Sequence, residues 1–88
     1  MNNIAKYSVV IELLYDAISF DIQNLIVGLD SRLIVLHLSH IYSVRSFAML
    51  RMFLWVCLLE REFNYIEYQH IPRHLNTLTD ALANYELN

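Results

Sequence analysis

Ile4, Val9, Val10, Leu13, Leu14, Ala17 and Ile18 recur at the intervals that place apolar residues on one face of a helix. Asn2 and Asn3 stand ahead of that run, and an asparagine side chain satisfies amides that a helix start leaves unpaired. A helix over 4–19 is predicted. After the polar break at Asp21, Gln23 and Asn24, Leu25-Ile-Val-Gly-Leu29 is short and almost wholly apolar, as in a strand buried on both faces of a parallel sheet. This strand, 24–29, ends at Asp30. Ser31 can cap a helix over 31–39, residues 41–45 read as a loop, and Ser46 can cap a helix over 47–61. That last helix is apolar nearly all round, Arg51 and its Glu60-Arg61-Glu62 end excepted, so cover on more than one side is expected. Residues 63–71 alternate, with Phe63 and Tyr65 on one face and Ile66 and Tyr68 on the other. Glu67 and Gln69 weaken the alternation, which suits an edge strand. Thr77-Leu-Thr-Asp80 has the form of a capping box, and Leu78, Ala81, Leu82 and Tyr85 stripe a helix over 77–87. The order predicts an α/β fold: two parallel strands with right-handed crossovers and four helices.

Composition narrows this picture. Eighty-eight residues make one domain, which buries roughly 60–65% of its unfolded surface. A 57% hydrophobic chain with one Gly and one Pro calls for long elements and argues against disorder. The net charge of −3 argues against plain electrostatic binding of nucleic acid, which rests on basic side chains. Cys57 is the single cysteine, so an internal disulfide is excluded and a reducing compartment is implied. Glu12 and Asp16 interrupt the first apolar run, unlike a signal peptide. The window Phe47–Leu59 is broken by Arg51 and is shorter than the ~20 residues a bilayer needs. An intracellular protein outside the membrane is expected.

Chemistry gathers at the carboxyl ends of strands in open α/β sheets. Asp30 sits there, His70 closes the second strand, and Asp80 can reach the same rim from its helix. Two carboxylates together can hold divalent ions that activate water and stabilise a leaving phosphodiester oxygen. The ordinary alternatives are a turn carboxylate at Asp30 and a capping partner at Asp80. His37, His40, His70, His74 and Cys57 do not follow a known zinc-ligand spacing, and the histidines read as scattered surface residues.

The order Asn2-Asn3, Asp30-Ser31, His70, Asn76 and Asp80 resembles the later part of a ribonuclease H-type domain. It is most similar to the reverse-transcriptase-like domains of plant retrotransposon polyproteins. The resemblance implies a hydrolase, an endonuclease that uses magnesium to cut the RNA strand of an RNA–DNA hybrid. It implies Asp30 and Asp80 as metal ligands and catalytic acids, and His70 as an aid to proton transfer and product release. Asn2, Asn3, Ser31 and Asn76 would contact substrate or support the site. The resemblance spans nearly the whole chain, which corresponds to a single domain, 1–88, truncated before its first three strands. Where the family carries a catalytic acid on the first helix, this sequence has Lys6. An ammonium there repels a metal ion and can itself pair with Asp30. Lys for Glu at 6, and Trp55 and Cys57 where relatives carry Arg, are each one transition mutation away, which fits a decaying mobile-element copy with impaired or absent turnover. The alternative is a non-catalytic, helix-rich interaction remnant. The open edge of strand 24–29, lacking its former neighbour, is expected to drive self-association.

Overall fold

The computed structural model describes residues 2–72 and 81–85. Asn2 caps α1 (Asn3–Ser19), its side-chain oxygen accepting from the Ala5 amide at 2.8 Å. Ser31 caps α2 (Arg32–Leu38) and Ser46 caps α3 (Phe47–Glu60), each through its hydroxyl to the amide three residues on. The helix ends are closed less conventionally. Asp21 and His40 take positive φ, 57° and 62°. Around each, the chain reaches back by paired hydrogen bonds, Asp21 to Ile18 and Ile22 to Ala17, His40 to His37 and Ile41 to Leu36. This closure usually employs glycine. Here Asp21 and His40 fill the role.

Strands β1 (Asn24–Leu29) and β2 (Tyr65–His70) pair in parallel, Asn24 opposite Tyr65 through Leu29 opposite His70. Both lie within the expected spans, and β2 is an edge strand as expected. Its predicted span, 63–71, is trimmed at both ends, so Phe63 lies ahead of the strand and is buried while Tyr65 is exposed. The two therefore do not share a face.

The fourth helix is corrected. Residues 81–85 form a third strand, β3 (Ala81–Tyr85), antiparallel to β1, and the sheet order is β2-β1-β3. The rest of the predicted 77–87 helix, and with it Asn76 and Asp80, lies outside the described residues. A strand edge is a row of backbone donors and acceptors that must be satisfied, and along β1 that demand overrides the helical preference of Ala and Leu. The edge of strand 24–29 is consequently paired, not open.

Leu25, Val27 and Leu29 turn one face of β1 wholly into the core, while Ile26 on the other face is half-buried. The expectation of complete burial on both faces thus holds for one. Against the buried face pack Tyr7, Val10, Ile11, Leu14 and Ala17 of α1, with Ile34 and Leu38 of α2 and Val56 and Leu59 of α3. Helix α3 was expected to be covered on several sides. It buries only Val56 and Leu59, because among the described elements only α1 lies heavily against it. Among the described residues no helix is long and apolar enough to cross a membrane.

Candidate active site at the carboxyl end of β1

Asp30 follows the last residue of β1, and its side chain is 4% exposed. Lys6, on the second turn of α1, brings Nζ to 4.0 Å from Asp30 Oδ1. A lysine near a helix start opposes the helix dipole, so Lys6 gains from the carboxylate what it loses in its own helix. At this spacing the gross attraction is about 4 kcal/mol in an effective dielectric of 20, offset by the cost of taking both charges out of water. The position expected to repel a cation therefore holds one, covalently attached.

His70 closes β2 in register with Leu29, and the next amide, Ile71, donates to the Leu29 carbonyl at 2.8 Å. Its exposed side chain thus rises from the rim where Asp30 begins. Ser31 and Asn2 serve as capping residues, and Asn3 opens α1, half-buried. Asp30, His70, Asn2, Asn3 and Ser31 thus belong to the β1 and β2 carboxyl ends and the starts of α1 and α2. Asn76 and Asp80 are outside the described residues.

Three polar contacts were not anticipated. Tyr7 Oη lies 3.1 Å from Nδ1 of His37, which is 5% exposed. Burial raises the Tyr7 phenol well above its ordinary value and lowers the His37 imidazole, so the pair is neutral, one hydroxyl and one imidazole sharing a hydrogen bond. Tyr68 donates to Glu60 at 2.6 Å, and burial followed by that carboxylate pushes the phenol up. Trp55 Nε1 donates to Tyr15 Oη at 3.1 Å across the α1–α3 seam. A tyrosine one residue beyond Lys6, on the buried side of α1, was the available signal for the first of these. Its distant partner was not readable. His37 therefore faces inward and serves the core.

Two solved domains match this architecture closely. The N-terminal RNase H domain of Rv2228c from Mycobacterium tuberculosis, solved as a fusion with maltose-binding protein, superposes with a TM-score of 0.88 at 31% identity, over 91% of this chain and 58% of that one. RNase H1 from the halophilic archaeon Halobacterium salinarum gives 0.86 at 25% identity, over 91% and 61%. The fold is ribonuclease H-like. In sequence, the bifunctional protein Rv2228c of M. tuberculosis and the uncharacterized protein Mb2253c of Mycobacterium bovis are each 34% identical over 83 residues, which is 94% of this chain. The chain spans 23% of the length of these relatives. No family model matches it. Within a ribonuclease H-like fold, the rim carrying Asp30 and His70 is the natural place to look for function.

Proposed function

We propose that this chain is a nucleic-acid-binding domain of the ribonuclease H type, directed at RNA–DNA hybrids and impaired in cleavage. We place it with the reverse-transcriptase-like domains of plant retrotransposons, on the spacing of Asp30-Ser31, His70, Asn76 and Asp80. In this reading the ancestral roles are those of two metal ligands at Asp30 and Asp80, a proton-transfer aid at His70, and hybrid contacts at Asn2, Asn3, Ser31 and Asn76.

The observation that carries the impairment is the Lys6–Asp30 pair at 4.0 Å. Magnesium favours several oxygen ligands, yet no cluster of three or more acidic, His or Cys side chains occurs among the described residues. The buried carboxylate at the rim faces an ammonium instead. Lys6 and Asp30 by themselves do not make a divalent-ion site, and no hydrolytic step is assigned to one.

The test is cleavage of a labelled RNA–DNA hybrid in magnesium by the unmodified chain, Asp30→Asn and Lys6→Glu. Hybrid binding without cleavage is expected from the unmodified chain. In Lys6→Glu, magnesium should raise the melting temperature, since a ligand that binds only the folded state stabilises it; the unmodified chain should show no such rise. Cleavage by the unmodified chain that Asp30→Asn abolishes would overturn the impairment, and absence of hybrid binding would overturn the reading as a whole.

A further inference from the structure

Tyr7 is wholly buried, and among the described residues its hydroxyl has one partner, Nδ1 of His37 at 3.1 Å. A buried hydroxyl must place its hydrogen on an acceptor, so Tyr7 donates and Nδ1 accepts. Burial keeps the His37 ring neutral by lowering its imidazole below the ordinary value, and a neutral imidazole that accepts at one nitrogen carries its proton on the other. The hydrogen of His37 is therefore on Nε2. Among the described residues that donor has no hydrogen-bond partner, yet it is not sealed from solvent, although the side chain that carries it is only 5% exposed. The same tautomer leaves no lone pair at Nε2 for a metal ion.

His37 lines a cavity of about 290 Å³, bounded also by the loop after α2 and by Leu50 and Phe53 of α3. His40 stands at the same cavity, its ring edge-on to Phe53 with centroids 5.6 Å apart. The volume is near the lower end for small-ligand sites. A second hollow shares Ile41, Tyr42 and Ser43 with the first and adds Arg45. Among the described residues no carboxylate lines either one. The two hollows thus offer a hydrogen-bond donor among apolar and aromatic walls and, across a common wall, a guanidinium. A planar ring with acceptors on its edge and a phosphate one sugar away meets both demands.

We propose that this cavity binds an unpaired nucleotide, its base seated against Phe53 and Leu50 with an edge acceptor on His37 Nε2–H, and its phosphate on Arg45. The choice of a nucleotide rests on the nucleic-acid-binding reading above; the donor and the cavity do not. The site belongs to α2, the loop after it and α3, not to the rim that carries Asp30 and His70. It suits a strand end or an unpaired base, because pairing in a duplex occupies the base edges. Tyr7 is a positioning residue, since its hydroxyl sets which nitrogen of His37 holds the proton. One donor and a small cavity make the binding weak, with a dissociation constant of about a millimolar.

Nitrogen-resolved NMR of the histidine rings and the backbone reads both the tautomer and the occupancy. The free chain should show His37 protonated at Nε2, and titration with uridine monophosphate should give saturable shifts at His37, Ser43 and Leu50. Ser43→Trp fills the cavity and should weaken binding about ten-fold or more. Arg45→Met should weaken the nucleotide about ten-fold while leaving uridine unchanged. Both positions are exposed, so the variants keep their fold, which circular dichroism verifies. A proton on Nδ1 of His37, no saturable shift with either ligand, binding indifferent to Ser43→Trp, or nucleotide binding indifferent to Arg45→Met would each overturn the proposal. Hybrid binding without mononucleotide binding sinks this site alone. Mononucleotide binding without hybrid binding leaves the site standing and sinks the broader reading.

Discussion

Helices α1 and α3 lie against each other and are both strongly apolar, yet they spend that apolarity differently. In α1 the hydrophobic residues collect on one side, and Tyr7, Val10, Ile11, Leu14 and Ala17 are buried. In α3 they run round the whole circumference, and only Val56 and Leu59 are buried. The amount of hydrophobic side chain does not set burial. Its angular distribution does, because a helix at the margin of a small domain has neighbours on one side only.

The sharpest way to break this comparison is truncation. Leu14→Ala should lower stability by about 2–5 kcal/mol, as for a fully buried leucine, while Leu54→Ala should change the monomer by less than about 0.5 kcal/mol. Urea unfolding at low protein concentration reads both. Similar losses would show that α3 is buried in solution after all.

Charge gives the next contrast. Lys6→Met on α1 removes the ammonium that faces the nearly buried Asp30 carboxylate and should lower stability by about 1–2 kcal/mol. Arg51→Met on α3 removes an exposed cation and should leave the melting temperature of the monomer within about a degree or two.

The smallest effect is read on α1 by pH. His37 on α2 leans on Tyr7 of α1, and burial lowers its imidazole below the ordinary 6.5. Such a group binds more protons unfolded than folded, so the stability it supports is present above pH 6.5 and is lost as pH falls through the lowered value. The urea midpoint should decline below about pH 6.5, and that decline should flatten in His37→Gln.

Much of the fold was legible because it rests on local signals. Asn2, Ser31 and Ser46 announced three helix starts, and the run 25–29 announced the central strand. Asp30 and His70 were placed at one rim by strand ends alone. What was not legible depends on partners far along the chain. The segment 81–85 has a helical stripe, yet the backbone edge of β1 gives it a better set of hydrogen bonds than solvent does. Its short Ala-Leu-Ala-Asn-Tyr run carried no sign of that. His37 looked like a surface residue until Tyr7, thirty positions away, supplied a buried partner. The cover expected over α3 failed for a related reason, since periodicity describes a helix and says nothing of how many neighbours it has.

The central place of β1 also dictates when the molecule can fold. Asn24 finds its partner at Tyr65, a separation of 41 residues (65 − 24), and Leu25 pairs with Tyr85, a separation of 60 (85 − 25). Loops of that size are slow to close compared with helix formation. During synthesis from the amino end, α1, α2 and α3 emerge and can form while the strand between them still lacks both neighbours. The most apolar strand is thus the last to be covered, and residue 85 must leave the ribosome before the sheet is whole. For this chain the hazardous interval is the time between making the core and being able to close it.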